Sequence, residues 1–309
     1  MNTVSPSVRI THLRKAYGQT VAVDDLSLEI LPGEIFGLIG PDGAGKTTAM
    51  RIVAALTLPD GGRVEVLGLD VVAHPLRVKE HIGYMPQRFS LYPDLTVAEN
   101  LRFFADLYKV PAKERTAREE RLMRFSRLKP FRKRRAAQLS GGMKQKLALA
   151  CTLVHTPELL ILDEPTTGVD PLSRQEFWAI LRELAASGQA LLVSTPYMDE
   201  ALLCHRVALM HNGRVLTMGS PHDIPSHFTR RLLEVVTDDV PRARKQLLSH
   251  GPAGIGVHRF GDRLHVVYDT ADQEREIHAC LAEEKADVGT VSPSIEDTFV
   301  ALMRERSSG

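Results

Sequence analysis

Apolar residues cluster in short, nearly unbroken runs along the first two thirds of this chain. Ile35-Phe36-Gly37-Leu38-Ile39 predicts one buried strand, and Leu159 to Asp163 another. Residues 190–194 and 206–210 continue the series, the last leading through Asn212-Gly213 into a hairpin that closes by Arg214. Around the first run, residues 7–85 alternate β-rich stretches with the turn signals Leu31-Pro32-Gly33 and Pro59-Asp60-Gly61-Gly62, which predicts a mixed sheet. Thr48 to Leu56 reads as a helix. From Arg88 to about Cys151 the period changes to that of a helix. Leu101, Phe104, Ala105 and Tyr108 share one face, Met143, Leu147, Cys151 and Val154 another, and Thr96 with Glu99 predicts a capping box.

Beyond residue 220 the pattern starts afresh, with Pro221 to Pro225 as the linker. Leu232–Thr237 predicts a strand and Pro241–Ser249 a helix. Gly256–Phe260 and Arg263–Tyr268 form a hairpin over Gly261-Asp262, followed by a helix over Gln273–Glu284, a strand over Val288–Val291 and a helix over Ile295–Arg304. The order βαββαβ is that of a small ferredoxin-like α+β domain. Two domains are therefore expected, 1–220 and 221–309, the first with a helical subdomain at about 88–151. No nucleotide or metal motif falls in the second, and its architecture suggests a dimer-stabilising or regulatory role.

Chemistry enters with the segment behind the first buried strand, Gly40-Pro41-Asp42-Gly43-Ala44-Gly45-Lys46-Thr47 and then Thr48. It fits G-x-x-x-x-G-K-[ST] in the required strand–loop–helix context. Gly43 and Gly45 let the backbone turn several N–H groups toward one anion at a helix start. Lys46 supplies a point charge for β- and γ-phosphates, and Thr47 a hydroxyl for Mg²⁺. The run Leu159 to Leu162 delivers Asp163 and Glu164 to the carboxyl edge of the sheet, where ligands of open α/β sheets bind. Asp163 is expected on Mg²⁺, directly or through water, and Glu164 on the water that attacks the phosphate. The chain is read as binding a nucleoside triphosphate.

Between these motifs lies Leu139-Ser140-Gly141-Gly142-Met143. Here the sequence resembles the ATP-binding-cassette (ABC) family, whose signature is LSGGQ, with Met143 in place of the glutamine. Ser140, Gly141 and Gly142 make a helix start poor in side chains, which a phosphate can approach closely. The resemblance covers roughly residues 7–220 and implies the α/β fold of that cassette, a P-loop NTPase with a mixed sheet core and a helical subdomain. It places Tyr17 on the adenine. Gln87 falls on Mg²⁺ and the water, and Asp170, in Gly168-Val169-Asp170, on the loop that touches an opposite subunit. At the switch position, where the family has a histidine, this chain has Pro196. The family's two cassettes enclose two ATP molecules head to tail, each site joining one chain's phosphate loop to the other's signature helix. The segment Tyr197-Met198-Asp199-Glu200-Ala201, the added domain and the stretch Ser294 to Val300 resemble the exporter class, whose membrane subunits are separate chains.

Composition narrows the reading. A formal charge of +1 provides no overall basic field for nucleic acid. The dense basic run Arg132-Lys133-Arg134-Arg135 reads as a solvated helix end or loop, with contact to anionic lipid or a partner loop as the sharper alternative. Three cysteines, Cys151, Cys204 and Cys280, lack metal-ligand spacing and suit a reducing compartment. No stretch approaches about 18 consecutive apolar residues, and no signal-peptide pattern opens the chain. The expected protein is thus an ATP-hydrolysing, Mg²⁺-dependent subunit, cytoplasmic and peripheral on the inner face of the cell membrane. Its expected partners are integral membrane permeases and a second cassette, in a homodimer or a heterodimer. The alternatives are a nucleotide-binding regulatory cassette with weak hydrolysis and an ABC ATPase outside transport.

Overall fold

The first 222 residues and the remainder form two separate units, and the chain passes between them at His222–Asp223, two residues later than the expected boundary. The structure, a computed structural model, describes residues 5–88, 91–282 and 284–307, with the side chains of 305–307 excluded. The first unit opens with β1 (Val8–Tyr17), β2 (Thr20–Ile30), β3 (Ile35–Ile39), α1 (Lys46–Val53), β4 (Gly61–Val66), β5 (Leu69–Asp70), α2 (Pro75–His81) and β6 (Ile82–Met85). Helices α3 (Val97–Leu107), α4 (Ala112–Phe125) and α5 (Gly141–Thr152) follow. The unit closes with β7 (Leu159–Asp163), α6 (Pro171–Ala186), β8 (Ala190–Thr195), α7 (Met198–Ala201), β9 (Arg206–His211) and β10 (Arg214–Gly219).

The mixed sheet expected around the phosphate loop is present, and a second, antiparallel sheet stands beside it. The antiparallel one runs β2-β1-β4-β5, and the six-stranded mixed one runs β10-β9-β3-β8-β7-β6, parallel except for the β9–β10 hairpin at its edge. Helix α1 touches both, through β2 and β4 on one side and β7 and β8 on the other. Its Ala49, Met50, Ile52 and Val53 join Leu26, Val64, Ile161 and Leu192 in one core. Every residue of β3, β7 and β8 is buried. That is the mark of parallel strands covered on both faces, and it explains their unbroken apolar runs.

Helix α1 begins two residues earlier than expected and stops at Val53, because Ala54 caps it and Ala55 turns to φ 53°. In α3 the capping box of Thr96 and Glu99 forms. The N–H groups of Val97 and Ala98 donate to the carbonyls of Arg134 and Arg132, so the backbone of the basic run finishes the same helix end. Leu101 and Ala105 are buried, whereas Tyr108 is the C-cap, 39% exposed, and stacks on His155 at 4.0 Å. The stripe expected on α5 was too narrow. Met143 is only half-buried, Val154 lies past the helix end, and residues 146–152 are buried all round.

The second unit contains β11 (Arg231–Thr237), α8 (Val240–His250), β12 (Gly256–Phe260), β13 (Arg263–Tyr268), α9 (Ala271–Cys280), β14 (Ala286–Thr290) and α10 (Ile295–Ser307). Its antiparallel sheet runs β12-β13-β11-β14, the ferredoxin-like order. Helix α9 ends at Cys280, earlier than expected, and Glu283 lies outside the described residues. Part of the expected linker is a 3₁₀ turn, Ile224–His227, which packs on α10 with Ile224 fully buried.

Candidate active site

Strand β8 lies between β3 and β7, so the phosphate loop leaving β3 and the two acids ending β7 flank Ser194 and Thr195. Gln87 follows β6 at the same edge. A cavity of about 660 Å³ opens there, lined by the loop from Asp42 to Thr48 together with Gln87, Glu164 and Asn212. A larger one, about 1110 Å³, lies at the opposite edge beside Pro157 and Gln189, which precede β7 and β8. It contains none of the expected site residues.

Three glycines shape the loop for two reasons. Gly43 (φ 79°) and Gly45 (φ 99°) need the left-handed region, as the sequence indicates. Gly40 is needed by its neighbour, since a Cβ there would stand 2.2 Å from Met210 O on β9. The hairpin turn between β9 and β10 supports the loop, Gly213 N–H donating to Ala44 O at 3.1 Å. Helix α1 begins at Lys46 with no side-chain cap and no acidic residue in its first turn, so its N-terminal dipole is left for an anion.

Lys46 is 3% exposed. Its Nζ donates to Gly40 O at 2.7 Å and Pro41 O at 3.0 Å and lies 3.4 Å from Glu164 Oε1. Thr47 Oγ1 donates to Asp163 Oδ1 at 3.0 Å, and Ser194 Oγ donates to the same oxygen at 2.7 Å. Ser194 Oγ also accepts from Glu164 N–H at 3.0 Å. Glu164 adopts φ 48°, a left-handed conformation costly for any residue with a Cβ, and its Oε2 accepts from Gln87 Nε2 at 2.9 Å. Burial, and then the nearby Asp163 charge, hold the Tyr84 phenol above its ordinary range, so it stays protonated beside the acids.

Other expected site residues lie outside the cavity lining. Tyr17 is 51% exposed at the end of β1, while its hairpin neighbours Thr20, Val21 and Ala22 form the wall. Ser140 caps α5, accepting from Met143 N–H at 3.3 Å, and Gly141 is exposed. Leu139 is buried. Gly142 is buried against α6, where a Cβ would meet Ser173 Cβ at 2.4 Å. Asp170 caps α6; the Ser173 N–H, first of all, holds its carboxyl below the usual range. Pro196 follows β8, half-buried, and the next N–H, of Tyr197, donates to Thr195 Oγ1 at 3.1 Å.

Sequence reasoning missed the double role of Ser194 and the wall residues Thr20, Val21, Ala22 and Asn212. The only signal for the first was its place at the end of the apolar run 190–194, and the others had none.

A family profile described as ABC transporter matches residues 23–167. The probable multidrug ABC transporter ATP-binding protein YbhF of Escherichia coli (strain K12) is 51% identical over 200 residues, 65% of this chain and 35% of that protein. This chain thus spans about a third of that relative's length. The Nod factor export ATP-binding protein I of Rhizobium etli is 34% identical over 300 residues, 96% of this chain and 93% of that protein. Among solved structures, a dimeric ATP-binding cassette in a post-hydrolysis state, bound to ADP and Pi, is 26% identical with a TM-score of 0.62. The match covers 69% of this chain and 98% of that one.

Proposed function

Since this chain belongs to the ATP-binding family of ABC transporters, we propose that it binds and hydrolyses ATP to drive an exporter. The observation that carries this reading is the convergence of Lys46, Thr47, Gln87 and Glu164 on one cavity at the start of α1, with Asp163 hydrogen-bonded to Thr47 beside it. The phosphate loop from Gly40 to Thr48 cradles the triphosphate with its N–H groups, and Lys46 exchanges its carbonyl and Glu164 contacts for phosphate oxygens. Thr47 and Asp163 present oxygen donors 3.0 Å apart, a set that suits Mg²⁺. Together with Gln87 they would hold the ion, which neutralises phosphate charge when bound.

Glu164 then serves as the base that orients and polarises water, with Gln87 fixing its second oxygen. Tyr17 supports the adenine from the rim. Ser140 and Gly141, exposed on a helix start and outside this chain's own cavity, are presented to the ATP of a second cassette, and Asp170 stands at that interface. ATP thereby joins two cassettes until hydrolysis releases them, a two-state switch biased by ligand. The second cassette is either another copy or a different chain, and the remaining partners are integral membrane permeases. Among the described residues no helix is long and apolar enough to cross a membrane. We place the subunit on the cytoplasmic face through those partners, with no role for nucleic acid. The exporter assignment draws on the relatives named for multidrug transport and Nod factor export. We assign residues 1–220 to the cassette, with its helical subdomain at about 88–151, and 221–309 to an accessory domain.

Glu164→Gln tests the core of this reading, because it preserves size and hydrogen bonding and removes the base. ATP should still bind, turnover should collapse, and an ATP-dependent dimer should appear in sizing chromatography. Undiminished turnover would transfer the role of base to another group. Pro196 favours a second reading, a cassette that binds ATP and hydrolyses it slowly, because proline offers no donor at that position.

A further inference from the structure

A buried polar cluster that the cavity does not include begins two residues past Glu164. Glu200, 1% exposed on α7, accepts a 2.7 Å hydrogen bond at Oε1 from Thr166 Oγ1, which is equally buried. Arg174 Nε of α6 lies 3.5 Å from the same oxygen. Another nitrogen of that guanidinium donates to Asp199 Oδ2 at 3.4 Å, and Arg174 Cζ stands 4.4 Å from the Tyr197 ring centroid. Glu200 Oε2 has no hydrogen-bond partner among the described residues. A carboxyl group kept this deep with one oxygen bare is costly to the fold, and an apolar side chain would pack there more favourably.

The partners of Glu200 belong to the segments that border the reaction. Thr166 is two residues past Glu164, in a turn closed by Thr167 N–H donating to Glu164 O at 3.3 Å. Upstream, Ser194 holds Asp163 and the Glu164 N–H. Downstream, Glu200 holds Thr166. Both anchors come from the single segment 194–200, which therefore grips the Glu164 turn on each side. A non-glycine residue at φ 48° persists only where its surroundings over-determine it, and this two-sided grip does so. Arg174 extends the connection. Its own N–H donates to Asp170 O at 2.9 Å, and the preceding residue, Ser173, is the one on which Gly142 packs.

We propose that Thr166, Glu200 and Arg174 form a positioning cluster that sets the direction of Glu164 and links it to the start of α6 and the Ser140-Gly141 helix end. None of the three touches the reacting atoms; they act through Glu164. The inference rests on the ATPase reading above. With proline at 196 supplying no side-chain donor, this grip is what the segment after β8 provides to the base.

The test is steady-state ATPase kinetics, fluorescent-nucleotide titration and thermal melting on the full chain. Thr166→Val preserves shape and removes the donor. It should lower kcat about tenfold or more while KM and nucleotide affinity stay within about twofold, as expected when a base is misplaced and the phosphate site is intact. Glu200→Gln retains an acceptor for Thr166 and should keep kcat within about threefold of the wild type, whereas Glu200→Ala should match Thr166→Val. The double variant Thr166→Val/Glu200→Ala should be no slower than either single one, since both remove one interaction. Normal kcat in Thr166→Val overturns the proposal, as does a parallel fall of kcat, affinity and melting temperature. Glu164→Gln in the same assay separates the two levels. If it is inactive while Thr166→Val is normal, only the cluster proposal fails; if it is fully active, or if the wild type has no turnover, the ATPase reading fails and takes the cluster with it.

Discussion

Pro196 is where a single residue most directly predicts behaviour. The family resemblance expects a histidine donor there, and removing one preorganised donor to a developing charge typically costs about 10²–10³ in rate. The structure adds that Thr195 and Tyr197 on either side are occupied with each other, Tyr197 N–H donating to Thr195 Oγ1 at 3.1 Å. The purified chain should therefore bind ATP well and turn it over slowly, and Pro196→His should raise kcat by about tenfold or more, as measured by phosphate release. Equal and normal rates in both proteins would refute the slow-site reading. The defect would occur twice in a homodimer. In a heterodimer it would occur once, because this chain's Ser140, Gly141 and Gly142 could complete a fully equipped site on the partner, and we favour that pairing.

At the scale of elements, the contact between α5 and α6 leaves no room for even a small side chain. Gly142 allows the two helix starts to meet, and a methyl group there would collide with Ser173 Cβ at 2.4 Å. Overpacking of this kind typically costs about 1–3 kcal/mol. Gly142→Ala should lower the melting temperature and reduce turnover by displacing the Ser140 helix end. Nucleotide affinity of the isolated chain should not change, because Gly142 lies outside the cavity. Adding Ser173→Gly should restore part of the stability. If Gly142→Ala leaves melting temperature and turnover untouched, the helix starts are not held by this contact. The same scale explains the basic run. Its exposed side chains look like a solvated loop, yet its carbonyls complete the N-terminus of α3.

At the scale of the whole molecule, the second unit carries a pH-dependent clamp. His265 Nδ1 and Asp297 Oδ1 are 2.7 Å apart and buried, tying β13 to α10. The hydrogen bond with Asp297 raises the His265 pKa above its ordinary 6.5. Burial alone would raise Asp297, but hydrogen bonds from His265 and Ser294 bring it below its ordinary 3.8. The histidine's contribution is complete below pH 6.5 and is lost as pH rises through the raised value; the aspartate's is complete above pH 3.8 and is lost as pH falls through the lowered one. The clamp is therefore strongest between those limits. His258, pushed down by burial and Arg304, works in the opposite sense and remains in both proteins compared. His265→Gln should destabilise the unit by about 1–3 kcal/mol at mildly acidic pH and by less at pH 9, as followed by thermal unfolding. A pH-independent difference would refute the clamp.

The chemistry of this chain was legible in the sequence because phosphate binding needs specific residue types at fixed local spacing. Gly43, Gly45, Lys46 and Thr47 belong to one turn, and Asp163 with Glu164 end one strand, so the backbone alone brings each group together. The βαββαβ order of the second unit was legible for the same reason, being a succession of local patterns. What local patterns could not convey is which distant strands become neighbours. The separation into two sheets followed from pairing partners far apart in sequence. So did the need for glycine at 40, set by Met210 O, and the grip of Ser194 and Glu200 on either side of Glu164. Residue type fixes what a side chain is able to do. Its neighbours in space fix its direction, and for Glu164 that direction was set only when β8 came to lie between β3 and β7.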